Sequence, residues 1–266
     1  MDSEYFSDLP DFLKDDYTRE DPYILSESEV AAINTKFEVF HRITENFPVS
    51  LGKQISKKER DDKNLIDTTL TYGEIDFHSL GEIFDTIRNR YGDIPDGGIF
   101  YDLGSGTGKG VIAAAVLHSF EKCVGIEILE GLHDISVQVK EAYEREMPVA
   151  LAQNPQVFKK MPEVQTILGS FFEVDWTDAS FIFANSTCFD IAMRNRISAT
   201  PVKSGTLGIS LTKPLSSSHW KILESIRKRM SWGEATVFIQ RKLDPAEIER
   251  ENREFGEALD SSDTYE

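Results

Sequence analysis

Apolar residues recur at helical spacing in the first third of the chain, then in short runs separated by helical stretches. Between residues 28 and 47, Val30, Ile33, Phe37, Phe40 and Ile43 share one face of a predicted helix. Residues 50–65 are rich in lysine and aspartate and read as a loop. From residue 71 a loop leads into a helix ending near Arg90, with Leu80, Ile83, Phe84 and Ile87 on one face. Apolar runs at 98–102, 122–128, 165–168, 179–184, 206–211 and 235–241 read as strands. Helical patterns at 108–119, 131–147, 187–199 and 217–229 alternate with them, and Pro155, Pro162, Pro201 and Pro214 punctuate the connections. Alternating β and α elements predict an α/β fold: an open, mostly parallel sheet with helices on both faces. A small, mostly helical segment precedes it. The expected division is an acidic, partly helical segment at 1–70, weakly ordered over 1–20, an α/β domain at 71–243 and an acidic tail at 244–266.

A chain of 266 residues fits one ordinary-to-large domain with an added segment. No apolar run approaches the roughly 20 residues needed to span a bilayer. The acidic start Met1-Asp2-Ser3-Glu4 lacks the apolar stretch of a secretory signal. The two cysteines, Cys123 and Cys188, lie in apolar, strand-like surroundings and read as buried free thiols. An intracellular location is the expectation. The net charge is −17, yet residues 1–35 hold ten acids and two bases, and residues 244–266 hold nine acids and two bases. The acidity therefore belongs to the two ends. The ends either steer a basic protein substrate or act as solubilising tails. Nothing resembles a basic stripe for nucleic acid, nor a membrane-binding segment. His78 and His133 are isolated, with no paired spacing for a metal.

The chemistry concentrates at Asp102-Leu103-Gly104-Ser105-Gly106-Thr107-Gly108-Lys109. An apolar run precedes this segment and an Ala/Val-rich helical pattern follows. Strand, glycine turn and helix in that order bring bare backbone close to a nucleotide-like ligand. The spacing is D-x-G-x-G-x-G, not the G-x-G-x-x-G of dinucleotide proteins. An acid before the first glycine suits the cationic end of S-adenosylmethionine and repels a phosphate. Val124-Gly125-Ile126-Glu127 reads as the next strand, ending in a carboxylate placed for ribose hydroxyls. Asp102, Glu127, Ser170 and Asn185 all fall at predicted carboxyl ends of strands, where such sheets bind ligands.

Further segments carry a resemblance to a family. Thr71-Tyr72-Gly73-Glu74-Ile75-Asp76-Phe77, the glycine turn, Gly125-Ile126-Glu127 and Ala184-Asn185-Ser186-Thr187-Cys188-Phe189 occur in the order and spacing of the Dot1-type, non-SET lysine methyltransferases. Ser210-Leu211-Thr212-Lys213-Pro214 is similar to a further strand end of that family. The resemblance implies a class I methyltransferase (Rossmann-like) fold, S-adenosylmethionine as cofactor and a basic protein substrate, histone H3 or the nucleosome. A nuclear location follows if the substrate is a histone. By the same resemblance, Tyr72, Gly73, Glu74 and Ile75 form a loop over the methionine end of the cofactor. The turn Asp102, Gly104, Ser105, Gly106, Thr107, Gly108 and Lys109 approaches it, Glu127 binds its ribose, and Ser170 and Phe171 meet its adenine. Asn185 orients cofactor or amine, with Phe189 and Phe238 as walls of a lysine channel. The chain has Ile75, Lys109, Ser170 and Phe238 where the family has threonine, glutamine, an acid and tyrosine. Two other readings remain open: a methyltransferase acting on a non-histone protein or small molecule, and a non-catalytic S-adenosylmethionine-binding module.

Overall fold

A computed structural model describes residues 21–250 except 66–69, 71, 93 and 95. The weakly ordered stretch expected at 1–20, most of the acidic tail, and Thr71 lie outside the described residues. Three helices lead the fold: α1 (Glu27–Thr44), α2 (Val49–Asp62) and α3 (Phe77–Tyr91). Ser26 and Glu29 form a capping box at the start of α1, and the Asp76 carboxylate accepts from Ser79 N–H at the start of α3. Then follow β1 (Ile99–Leu103), α4 (Lys109–Leu117), β2 (Lys122–Glu127), α5 (Glu130–Gln153), β3 (Glu163–Leu168), β4 (Phe181–Ala184), α6 (Ile191–Ala199), β5 (Leu207–Leu211), β6 (Trp220–Met230) and β7 (Gly233–Lys242).

The seven strands form one sheet in the order β3-β2-β1-β4-β5-β7-β6. The first five are parallel, and β7 pairs antiparallel with both β5 and β6. The strand order reverses direction between β1 and β4. The crevice at such a switch point is where parallel α/β sheets bind ligands. One face of the sheet packs on α1, α3, α4 and α5, with Phe84, Phe100, Phe120 and Phe181 in mutual contact at its centre. The other packs on α6 and on Trp176 and Trp220. Among the described residues no helix is long and apolar enough to cross a membrane.

Four expectations are corrected. Residues 50–65, read as a loop, form α2. Lysine and glutamate favour helices once a few positions anchor them, and Leu51 and Ile55 pack against the core. Residues 217–229, read as a helix, are strand β6. The spacing of Trp220, Leu223, Ile226 and Met230 imitates a helix because a bulge between Ile222 and Glu224 switches the side-chain parity midway. The stretch 187–199 splits into a short 3-10 turn (Ser186–Cys188) and α6, which starts at an Asp190 cap. Cys188 is consequently half-buried on a turn, whereas Cys123 is buried on β2; both are free. The helix expected at 131–147 runs on through Pro148 to Gln153.

Phe181 lies on the central strand β4 and is fully buried among Phe84, Phe100 and Phe120. Phe181→Ala is expected to lower stability by about 3–5 kcal/mol, read from the urea midpoint at constant m-value. A loss below ~1 kcal/mol would show that this aromatic cluster does not set the core.

Candidate active site

Three glycines with positive φ shape the turn after β1: Gly104 at 87°, Gly106 at 56° and Gly108 at 78°. Gly104 and Ser105 donate their N–H groups to Ile126 O at 2.9 and 3.0 Å, which ties the turn to the end of β2. The ring of Tyr72 is wedged between this turn and α2. A Cβ at Gly106 would lie 2.6 Å from Tyr72 Cε2, and one at Gly52 would lie 2.4 Å from Cε1. Glycine is required at both places because an aromatic ring occupies the space of a side chain.

Glu74 fixes the Tyr72 loop. Its carboxylate accepts hydrogen bonds from the Tyr72 and Thr107 hydroxyls and pairs with Lys109 Nζ at 3.0 Å. Its backbone exchanges two bonds with Ser231 in the β6–β7 turn: Glu74 N–H to Ser231 Oγ and Ser231 N–H to Glu74 O, each 2.9 Å. Burial and the Glu74 charge hold the Tyr72 phenol far above its ordinary range, so it remains a donor. Ile75 bridges to Met230 and packs on the core.

The Glu127 carboxylate, at the end of β2, accepts from Gly106 N–H at 2.7 Å and Leu129 N–H at 2.8 Å. Burial raises its pKa, and these backbone bonds offset part of the rise. Asp102 lies under the turn, buried, with Oδ2 against Gly110. Burial first, and the Glu127 charge second, push its pKa up to about 8. Asp102 Oδ1 and Ser105 Oγ have no hydrogen-bond partner among the described residues.

A cavity of about 380 Å³ opens at this edge of the sheet, within the range of roughly 300–1,000 Å³ typical of small-molecule sites. Of the predicted residues, Tyr72, Gly73, Gly104, Gly106, Glu127, Ser170, Phe171, Asn185 and Phe189 line it. Asp102, Ser105, Thr107, Gly108 and Lys109 stand behind the turn, and Glu74 and Ile75 stand behind Tyr72. The lining missed in the sequence includes Leu129 and Leu132, just beyond Glu127, Glu59 of α2, and Lys63 just past the end of α2. Apolar positions two and five residues after a strand-end acid could have signalled the leucines. The residues of α2 were hidden by reading that segment as a loop. Glu59 accepts from Glu130 and Gly131 N–H at 3.0 and 2.8 Å, capping α5 and fixing α2 over the cavity.

A second cavity of about 420 Å³ shares Tyr72, Gly73 and Asn185 with the first. These three form the partition. Asn185 Nδ2 donates to Gly73 O at 3.2 Å, while its Oδ1 accepts from the Thr187 hydroxyl at 2.9 Å. Trp232, in the β6–β7 turn, covers Gly73; a Cβ there would lie 2.4 Å from the indole. Thr187 and Cys188 complete the inner wall. The two phenylalanines expected to wall an acceptor channel stand elsewhere. Phe189 faces the first cavity, where its ring lies 5.8 Å from that of Phe171. Phe238 pairs in register with Ser210 and Ser225 inside the sheet, is 2% exposed and lines neither cavity. Among the described residues no cluster of histidine, cysteine and acids could hold a metal.

The lining fits a nucleoside joined to a cation. Bare glycine backbone, an aromatic ring and a buried carboxylate converge on the first cavity, and further acids stand behind them. Sheet order and site together define a class I, S-adenosylmethionine-dependent methyltransferase. The family model described as histone methylation protein DOT1 matches residues 59–235, and the chain belongs to that family. No curated protein matches the chain. Similar solved structures include an RNA methyltransferase from Salinibacter ruber in complex with S-adenosyl-L-homocysteine, 22% identical over 61% of this chain and 91% of that one, TM-score 0.42. Another is the B. subtilis M1A22 tRNA methyltransferase TrmK, 14% identical over 60% of this chain and 65% of that one, TM-score 0.40.

Gly106→Ala is expected to weaken S-adenosylmethionine binding at least about tenfold in a titration. The new methyl group meets Tyr72 and strains a positive φ. Gly97→Ala carries similar strain at φ 79° with nothing within 4 Å, and should leave the affinity unchanged. Equal losses in both would mean that Tyr72 is not the constraint. A second expectation concerns pH. The folded chain keeps the Asp102 proton between the unfolded value of 3.8 and about 8, while the unfolded chain releases it. This group therefore makes cofactor-free stability fall as pH rises through that window. Asp102→Asn should flatten the fall and raise Tm at the alkaline end. An unchanged Tm–pH profile would show that Asp102 is not the group responsible.

Proposed function

We propose that this methyltransferase acts on the ε-amine of a protein lysine, with a lysine of histone H3 on the nucleosome as its substrate and the nucleus as its place of action. The observation that carries this reading is the second cavity, separated from the first only by Tyr72, Gly73 and Asn185. S-adenosylmethionine supplies a methyl group on a sulfonium, already activated for displacement. Tyr72, Glu127, Ser170 and Phe171 would hold it, with the glycine turn beneath. The remaining task is to hold an uncharged amine in line. Trp232 and Cys188 give the second cavity apolar surface, which lowers the proton affinity of a buried amine. Asn185 is tethered on both sides and fixes the partition through which the groups meet.

The test is transfer of labelled methyl from S-adenosylmethionine to nucleosomes, free core histones and a whole-cell protein extract, with Asn185→Ala as control. Label on H3 that falls at least about a hundredfold in the variant, the scale of a lost positioning contact, is the expected result. Label only on extract proteins keeps the enzyme and removes the histone. Cofactor binding without transfer to any acceptor identifies a non-catalytic module.

A further inference from the structure

We infer that the second cavity reads the charge beside its acceptor: helix α2 selects a lysine flanked by aspartate or glutamate in the substrate. The inference rests on the lysine reading above. Lys53, Lys57 and Arg60 stand at i, i+4 and i+7 on α2 and line the second cavity together with Trp232 and Cys188. They form a cationic wall about 10 Å long.

This wall is held in place from its other side. Gly52 packs on the Tyr72 ring, Ser56 Oγ donates to Leu70 O at 3.3 Å, and Glu59 caps α5. Rotating α2 to hide the three cations would break all of these contacts. The chain holds 46 acids against 29 lysines and arginines. Even so, among the described residues none of the three cations has an ion-pair partner. Arg60 donates Nε only to Ser56 O, within its own helix. Three cations around one cavity with no ion-pair partner among the described residues mark a place where a binding partner can bring the counter-charge.

A bare lysine ammonium is repelled by this wall. Carboxylates on either side of it supply the missing charge and draw the amine in. A polynucleotide fits less well. Three cations over about 10 Å reach a few carboxylates, whereas tracking a phosphate backbone takes a longer basic groove. The chain as a whole, at −17, repels such a polymer.

The experiment uses the full chain with labelled S-adenosylmethionine, nucleosomes, core histones and protein extract, and maps methylated lysines by mass spectrometry. The wild type, Lys53→Gln/Lys57→Gln and Lys53→Glu/Lys57→Glu are compared, each shown to be folded by cofactor binding. The expected result is that wild-type sites are enriched in neighbouring aspartate and glutamate. Transfer to those sites falls at least about tenfold in the charge reversal, less in the neutral variant. The charge reversal shifts the remaining transfer toward lysines beside basic residues. Wild-type sites with no acidic enrichment, or a site pattern that the charge reversal leaves unchanged, overturn the inference while the lysine reading stands. Label confined to nucleic acid, or absent from every lysine, overturns the lysine reading and the inference with it.

Discussion

The carboxylate of Glu74 is the interaction on which the site depends. It gathers the Tyr72 hydroxyl, the Thr107 hydroxyl and the Lys109 ammonium, while its backbone is bonded to Ser231. Three segments remote in sequence meet at this residue: the loop before α3, the glycine turn, and the β6–β7 turn. A buried ion pair by itself contributes little net stability, because desolvating two charges offsets their attraction. Here the two hydroxyls satisfy the remaining acceptor sites, so the pair acts as a geometric clamp. It sets the position of Tyr72, and Tyr72 in turn sets the partition between the cavities. By the sequence resemblance, glutamine is the residue expected at position 109. Lysine there adds charge to the clamp and needs a carboxylate opposite it, which Glu74 provides.

Strands β1, β2, β4 and β5 and the glycine turn were legible in the sequence because burial on both faces leaves short, apolar runs. Strand carboxyl ends then located Glu127, Ser170 and Asn185 together at one edge. Two elements were not legible, each for a specific reason. In β6 the alternation that marks a strand reverses at the bulge after Ile222, so the apolar positions drift into a helical spacing. In α2 only Leu51 and Ile55 report the core, and the charged residues around them look like a solvated loop. Those residues in fact serve two surfaces: Glu59 and Lys63 face the first cavity, while Lys53 and Lys57 face the second.

Side-chain direction was the other hidden quantity. Phe189 and Phe238 both belong to segments that approach the site, yet neither lines the second cavity. Asp190 caps α6 and turns the chain so that Phe189 swings toward Phe171. Phe238 falls on the strand parity that faces Ser210. Trp232, carried by a two-residue turn, covers Gly73 and lines the second cavity. Only the pairing of β6 with β7, itself missed, brings it there. One misread element therefore hid a strand and a wall of the site together.

The charge distribution has two length scales. If the proposed basic substrate is right, the acidic ends of the sequence would favour the encounter, over distances limited by a Debye length of about 8 Å at physiological ionic strength. The wall on α2, with Lys53 and Lys57 exposed at the second cavity, would act only at contact with a substrate. A protein substrate that is basic overall, but carries carboxylates beside the acceptor lysine, satisfies both. A substrate basic at every point satisfies only the first and is repelled at the mouth of the cavity. On the proposed reading, opposite signs at long and short range would narrow the choice of acceptor more than either alone. The short-range element depends on α2 being held in register by Tyr72 and Glu59, the two residues that also shape the cofactor cavity. On that reading, cofactor binding and acceptor selection would be coupled through one helix.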